Sequence, residues 1–138
     1  MKILGLDVGE KTIGVAVSDA LGMTAQGIET IQWRESDFNT ATSRFDFLIQ
    51  EYEISSVVVG LPKNMNGTIG ERGKLCQQFA EKFSSHYDLP VSMWDERLST
   101  MQAEKVLLEA DMSRAKRKKV IDKMAASMIL QSYLEAHR

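Results

Sequence analysis

Residues 1–19, MKILGLDVGEKTIGVAVSD, predict two short strands of a hairpin joined at Gly9-Glu10-Lys11. Asp7 lies inside the first strand, although aspartate is depleted in strands. A charge taken out of water costs several kcal/mol unless it is paired or bound to a metal. The stretch therefore predicts the start of a sheet and marks Asp7 as a candidate functional residue. The apolar residues that define the two strands are Ile3, Leu4, Leu6, Val8, Ile13, Val15, Ala16 and Val17.

The neighbours of Asp7 leave space around its side chain. Alternate residues of a strand share a face, so Gly5, Asp7 and Gly9 belong to the same side of the first strand. Glycines on both sides of a carboxylate leave room for a ligand or for another backbone. Asp7 could instead open the turn through Gly9, as aspartate often does. This stretch alone leaves both interpretations open.

The composition limits the class of protein. A chain of 138 residues can bury one sizeable core, so we expect a single domain over 1–138. The net charge of −2 gives no global indication of nucleic-acid binding, and one cysteine, Cys76, excludes a disulfide framework or a cysteine-rich zinc site. We expect Cys76 to be buried. No apolar run approaches the ~20 residues of a membrane helix, and Asp7 interrupts any signal-peptide core, so we expect a cytoplasmic protein.

Periodicity over the rest of the chain predicts three further strands and four helices. Ser36 fits the N-cap of the first helix, and Ser99 with Gln102 resembles a capping box that opens the third. Hairpins followed by strands that alternate with helices, in the order βββαβαβαα, predict an α/β mixed sheet with helices on both faces. The predicted strands lie within 23–33, 55–62 and 91–96, and the predicted helices cover about 37–52, 68–87, 100–110 and 118–136.

Three further carboxylates lie where they could join Asp7. Asp95 and Glu96 end the last strand side by side, and adjacent strand residues point to opposite faces. At most one of them therefore shares the side of Asp7. Asp122 lies in the last helix, on a stripe of small and apolar residues that must face the sheet. An acid near the start of a helix can also complement the helix dipole, which fits a solvent-facing residue better.

Four motifs in this order resemble those of the YqgF family: DVGEKTIGVAVSD (7–19), GLPKNMNGT (60–68), DERLST (95–100) and DKMAA (122–126). These small bacterial proteins of the RNase H-like superfamily are relatives of the Holliday-junction resolvase RuvC. They are described as pre-16S rRNA nucleases or resolvase-like proteins. The resemblance implies an RNase H-like five-stranded mixed sheet, with its first three strands antiparallel, and a nuclease site of acidic residues that holds divalent metal.

The resemblance also implies which acids hold the metal. Asp7 matches the acid of the first strand, and Asp122 matches the acid of the last helix. In RuvC-type resolvases the second acid ends the fourth strand, but this chain has Gly60-Leu61-Pro62 there. The second ligand would therefore come from the next strand, where Glu96 is preferred for its longer side chain and Asp95 is its substitute.

Converging carboxylates suit phosphodiester hydrolysis. Negative charge develops on the phosphate oxygens, and two cations about 3.5–4 Å apart can stabilise both the attacking and the leaving oxygen. Mg²⁺ and Mn²⁺ prefer carboxylate and water oxygens, so we expect either as the cofactor. Ligands of open α/β sheets bind beyond the carboxyl ends of strands, where both Asp7 and Glu96 are predicted to lie.

Two further segments are candidates for contact with nucleic acid. In GLPKNMNGT, side chains and backbone can donate to phosphate near the start of the next helix, although Asn66-Gly67 also predicts an ordinary turn. The segment RAKRKK (114–119) puts five cations at the amino end of the last helix, where they oppose the dipole. Phosphate binding is the simplest use for them, and a solvated charged face is the alternative. The candidate substrate-binding residues are Lys63, Asn64, Thr68, Arg72, Arg97, Arg114, Lys116, Arg117, Lys118 and Lys119.

The resemblance implies, as the preferred function, a metal-dependent endo- or exonuclease that processes the 5′ end of pre-16S rRNA. A Holliday-junction resolvase-like DNA endonuclease is the alternative within the same chemistry. An actin-like kinase or ATPase has a similar first motif but needs two such domains. A non-catalytic RNA-binding factor for ribosome assembly would gain nothing from carboxylates gathered against a phosphate backbone. We expect a monomer or a weak homodimer without a membrane partner.

Overall fold

The computed structural model describes the backbone of residues 2–97 and 114–137, and the side chains of 2–97 and 123–137. The described elements follow the predicted order, βββαβαβ and then a final helix. No helix in this part of the chain is long and apolar enough to cross a membrane. The elements are β1 (Lys2–Val8), β2 (Thr12–Ser18), β3 (Ala25–Gln32), α1 (Asn39–Glu51), β4 (Ile54–Leu61), α2 (Glu71–Tyr87), β5 (Val91–Asp95) and α3 (Arg114–Ala136).

The strands form one mixed sheet in the order β3-β2-β1-β4-β5. β1 pairs antiparallel with β2, and β2 pairs antiparallel with β3. β4 lies parallel to both β1 and β5. The predicted five-stranded mixed sheet, with its first three strands antiparallel, is confirmed. Because β1, β4 and β5 run in the same direction, their carboxyl ends meet at one edge.

Side-chain alternation divides the core between the two faces of the sheet. On one face, Leu4, Leu6 and Val8 belong to the larger core cluster, which also contains the buried aromatic residues of α1 and α2. On the other face, α3 covers a smaller cluster, and the predicted helices on both faces are confirmed. Asp7 alternates with Leu6 and Val8 and therefore belongs to the α3 face. The smaller cluster consists of Ala16, Val58, Ala126, Ile129, Leu130 and Leu134.

A glycine in β1 lets α3 approach the sheet closely. A Cβ atom at Gly5 would lie only 2.8 Å from Leu130 Cβ and 3.3 Å from the Ala126 carbonyl oxygen. Leu134 lies near Ile3 at the beginning of β1, whereas Ala126 and Leu130 lie over Gly5. α3 therefore runs opposite to β1, and its amino end points toward the end of β1 that carries Asp7.

The predicted start of the first helix is wrong. Ser36 is not its N-cap, because α1 begins at Asn39, after Phe38, without a side-chain cap. A bridge between Arg34 and Asp37, and a hydrogen bond from the Asn39 N–H to Asp37, hold residues 34–37 in a turn. Phe38, the residue before the helix, is only 5% exposed and belongs to the larger core cluster.

The other predicted helix boundaries shift by smaller amounts. α2 begins at Glu71 rather than near Thr68, because residues 64–68 close into a hydrogen-bonded turn. α3 begins at Arg114, before the predicted start at Lys118. The predicted helix over 100–110, with its Ser99–Gln102 capping box, lies outside the described residues.

Candidate metal-binding site

Asp7 and Glu96 lie together at the carboxyl edge of the sheet. Asp7 is on β1, Glu96 directly follows β5, and β4 lies between these two strands. The Glu96 N–H donates to the Leu61 carbonyl at 3.3 Å, which keeps the chain beside β4 beyond the end of β5. A side-chain hydrogen bond joins the carboxyl groups of Asp7 and Glu96 when one of them carries a proton. When both are ionised, their negative charges repel. Two acids that are far apart in the sequence therefore contact each other in the fold.

Gly60 provides the space that the Glu96 carboxylate occupies. It lies in β4, on the face that α3 covers. A Cβ atom at Gly60 would lie 2.1 Å from Glu96 Oε2, so the carboxylate fills the volume that a side chain would take. Glu96 Oε2 is buried and has no hydrogen-bond partner within the described part of the chain. Buried charged oxygens are normally paired or bound to a metal, which makes this atom a candidate ligand.

The electrostatics of the pair suit a bound cation. The pKa of Glu96 is raised from 4.5 to about 8, first by burial and then by the negative charge of Asp7 and their shared hydrogen bond. The positive charge of Arg72 opposes this rise. A carboxyl group in such surroundings keeps its proton near neutral pH unless a cation takes the proton's place.

Asp95 makes a different set of contacts. It accepts hydrogen bonds from Arg97 Nε at 3.0 and 3.1 Å, and its Oδ2 lies 2.7 Å from Arg97 Nη2. The hydrogen bond from Arg97 lowers the pKa of Asp95, and the positive charge of Lys63 acts in the same direction. The two neighbours in DER thus differ: Glu96 interacts directly with Asp7, while Asp95 is held in an ion pair.

Side chains from outside β1 hold the backbone that follows Asp7. Arg72 Nη2 donates to the Val8 carbonyl at 2.9 Å, and Trp33 Nε1 donates to the Gly9 carbonyl at 3.0 Å. Arg72 also forms an ion pair with Glu35. Neither Trp33 nor Glu35 was predicted as a functional residue, because nothing in the sequence around them distinguishes them before the tertiary contacts are known.

Cys76 is buried, as predicted, with 1% of its surface exposed. Its Sγ lies 3.8 Å from the Val8 carbonyl oxygen. Burial raises the pKa of the thiol to about 11. Because the thiolate is the nucleophile and the metal ligand, Cys76 supports the packing of α2 on β1 and is not suited to either chemical role.

Asp122 belongs to α3, but its side chain lies outside the described ones. Its backbone precedes Ala126 by about one helical turn, and the direction of α3 carries it toward the Asp7 end of β1. Among the described side chains, no three His, Cys, Asp or Glu residues form a group that could hold a metal. The oxygen chemistry of Asp7 and Glu96 fits a hard divalent cation, and the ligand role of Asp122 stays a prediction.

The loop after β4 uses its predicted phosphate donors internally. Asn64 Nδ2 donates to Thr68 Oγ1 at 3.0 Å, and Thr68 Oγ1 donates to Asn66 Oδ1 at 2.6 Å. The Gly67 N–H donates to the Asn64 carbonyl at 2.8 Å, and Gly67 has the positive φ of 86° that glycine tolerates. The structure thus shows the turn at Asn66-Gly67, and a substrate role for Asn64 and Thr68 stays a prediction.

The predicted substrate-binding cations lie in three places. Lys63 is partly exposed beside Asp95, and Arg72 and Arg97 are held by Glu35 and Asp95. The backbone of residues 114–119 forms the amino end of α3, as expected for RAKRKK. The side chains of Arg114, Lys116, Arg117, Lys118 and Lys119 lie outside the described ones.

Comparison with known sequences gives matches over almost the whole chain. A family model described as "RuvX: Holliday junction resolvase" matches residues 1–136. A protein of Oceanobacillus iheyensis named "Putative pre-16S rRNA nuclease" is 64% identical over 135 residues, which are 98% of this chain and 98% of that protein. A Bacillus subtilis protein of the same name is 59% identical over 136 residues, 99% of each chain.

Solved structures share the fold at low sequence identity. Thermus thermophilus RuvC, in complex with a Holliday junction substrate, has a TM-score of 0.59 and 16% identity, over 99% of this chain and 95% of that chain. The fowlpox virus Holliday junction resolvase has a TM-score of 0.59 and 18% identity over 100% of both chains. These likenesses confirm the predicted RNase H-like fold.

The raised pKa of Glu96 predicts how stability depends on pH in metal-free buffer. The folded chain binds this proton more tightly than the unfolded chain, so the free energy of unfolding falls as pH rises from about 4.5 to about 8. We expect Glu96→Gln to remove much of the fall in melting temperature between pH 5 and 8.5. The control variant Glu51→Gln, at an exposed position, should show the same fall in melting temperature as the parent. Equal slopes for the parent and Glu96→Gln would contradict the buried carboxyl pair.

Proposed function

The chain belongs to the RuvX family, the YqgF family of the sequence resemblance, and we propose that it is a metal-dependent nuclease that processes the 5′ end of pre-16S rRNA. The named nuclease function of relatives at 59–64% identity, matched over nearly their full length, supports this reaction and substrate. Ribosome biogenesis would place the protein in the cytoplasm.

One structural observation carries the chemical part of the proposal: Asp7 and Glu96 meet at the carboxyl edge of the sheet, and a buried oxygen of Glu96 has no hydrogen-bond partner among the described residues. Asp7, Glu96 and Asp122 would hold Mg²⁺ or Mn²⁺. The bound cation supplies the positive charge that phosphate oxygens need as negative charge develops on them. A protein that only binds RNA would be weakened by such acids, because they repel the phosphate backbone.

In the proposed reaction, the residues around the acids position the backbone, neutralise charge and bind phosphates. Arg72 and Trp33 fix the backbone after Asp7, so that this carboxylate keeps its position when substrate arrives. Arg97 neutralises Asp95, which reduces the negative charge that an incoming phosphate meets. The basic segment 114–119 is suited to bind phosphates at a distance from the reacting bond.

Cleavage of junction DNA is the second candidate, and the printed description of the matching family, Holliday junction resolvase, favours it. A resolvase must cut two strands of a junction and therefore needs two active sites. A protein that stays monomeric under assay conditions would favour the RNA substrate, and a dimer would leave both substrates open to direct test.

A cleavage assay tests the proposed activity. Labelled pre-16S rRNA and labelled four-way junction DNA are incubated side by side with Mg²⁺ or Mn²⁺. We expect cleavage of the RNA by the parent and a loss of at least about 100-fold for Asp7→Asn, since several kcal/mol of charge stabilisation are removed. Asp7→Asn should fold normally, because shape is kept and a repulsion is relieved. Full activity of folded Asp7→Asn would exclude Asp7 as a ligand.

The two neighbours in DER give a matched pair of variants. Glu96→Gln should lose activity by about 100-fold or more, whereas Asp95→Asn should lose much less, because Glu96 interacts directly with Asp7 while Asp95 is held in an ion pair with Arg97. Cleavage rates with Mn²⁺ at fixed RNA concentration give the comparison. The reverse order would assign the ligand to Asp95, and small equal losses would favour a binding factor without catalysis.

The basic segment predicts a salt-dependent contribution to RNA affinity. Replacing Arg114, Lys116, Arg117, Lys118 and Lys119 with glutamine should weaken binding and flatten the slope of log K against log salt by up to about 3.5, at about 0.7 per phosphate contact. The melting temperature should stay level or rise, because cations at a helix start oppose its dipole. The exposed control Lys82→Gln should leave the slope nearly unchanged. An unchanged slope in the five-fold variant would make the segment a solvated face.

A further inference from the structure

We propose that Gly60 is a positioning residue of the acid pair: its missing side chain is what allows the carboxylate of Glu96, from the neighbouring strand, to lie over the end of β4 against Asp7. This inference rests on the proposed function only in assigning the pair to metal binding. The carboxylate that contacts Asp7 lies over the end of β4. A carboxylate attached to residue 60 of β4 can therefore replace that of Glu96.

The strand register supports this assignment. Leu6 of β1 is paired with Val59 of β4, and Asp7 and Gly60 are the next residues on each strand. Gly60 in turn is paired with Trp94 of β5, two residues before Glu96. The side chain of Glu96 must therefore cross β4 to reach Asp7. Any side chain on β4 at this level would stand in its path.

The backbone at position 60 does not itself require glycine. Among the described residues, the glycines with positive φ are Gly22 and Gly67, and Gly60 is not one of them. The conformation is therefore open to any L-residue, and space is the remaining requirement. A Cβ atom would lie 2.1 Å from Glu96 Oε2 and 2.7 Å from Ile129 Cδ1. Glycine at position 60 thus leaves room either for the Glu96 carboxylate or for Ile129 of α3. Experiments can distinguish these two requirements.

The distance between Glu96 Oε2 and the Cβ position of residue 60 indicates that a carboxylate on β4 could replace the one that follows β5. In an aspartate, the carboxylate oxygens lie about 2.4 Å from Cβ by standard bond lengths. The Oε2 atom of Glu96 lies 2.1 Å from the Cβ position at residue 60. The variant Gly60→Asp/Glu96→Ala therefore carries a carboxylate oxygen within reach of the present position of Oε2. The glutamate that would collide with it is gone, and the far end of the Ile129 side chain, 2.7 Å from the same Cβ position, has to shift.

Binding of Mn²⁺ alone, measured by titration calorimetry on the full chain, tests the proposal without any substrate. Glu96→Ala should weaken binding by at least about 10-fold, the lower end of losses seen when even outer-shell partners are removed. Gly60→Asp/Glu96→Ala should recover most of this loss. The matched control Gly60→Asn/Glu96→Ala has the same shape without the charge and should not. Recovery by both double variants, or by neither, would overturn the proposal.

A second set of variants distinguishes the effect of residue 60 on the Glu96 carboxylate from its effect on the packing of α3. Ile129→Val removes the Cδ1 atom, so the Glu96 carboxylate is the remaining group within 3 Å of the new Cβ when Gly60→Ala is made in that background. We expect this double variant to melt close to Ile129→Val and still to bind Mn²⁺ at least about 10-fold more weakly. Unchanged Mn²⁺ affinity would overturn the positioning role.

A crystal structure of Gly60→Ala/Ile129→Val gives a result that does not depend on metal binding. We expect the Glu96 carboxyl group to be displaced from Asp7, and a retained contact would overturn the proposal. The outcomes remain distinct from those of the proposed function. If the parent neither binds Mn²⁺ nor cleaves RNA, the nuclease proposal fails while this crystal structure still decides the place of Glu96.

Discussion

The repulsion between Asp7 and Glu96 is the constraint on which the carboxyl edge of the sheet depends. Two carboxyl groups in contact, one of them largely buried, destabilise a folded chain unless a proton or a cation lies between them. The parallel strands β1, β4 and β5 bring both acids to the same edge, and Gly60 leaves the space between them open. The packing that forms the core therefore also brings two carboxyl groups together.

The surroundings prevent the acids from relieving this repulsion by moving apart. β1 is the central strand and pairs on both sides, and the carbonyl groups of Val8 and Gly9 are held by Arg72 and Trp33. On the other side, the Glu96 N–H stays bonded to β4. The two carboxyl groups proposed as ligands are thus in place without a cation, and the unfavourable contact between them lowers the free energy of unfolding of the metal-free chain.

The sequence was informative where local pattern and global fold agree. The hairpin around Gly9 and the buried run of β4 follow from strand patterns alone, and the alternation of side chains already separates Asp95 from Glu96. The place of Glu96 over Gly60 could not be predicted, because it depends on which strands are neighbours and not on spacing along the chain. The Ser36 cap failed because a turn over residues 34–37 takes the place of the predicted first helical turn.

The order of elements along the chain also determines when each face of the sheet is covered during synthesis. β1 leaves the ribosome before the other four strands, and the helix that covers its second face, α3, leaves after all five strands. At about 5–20 residues per second, the interval is roughly 10 s. A nascent chain in this interval holds Asp7 without Asp122, the predicted third ligand, and without the cover of α3 over Gly5. For the proposed rRNA nuclease, this order delays activity until α3 has left the ribosome.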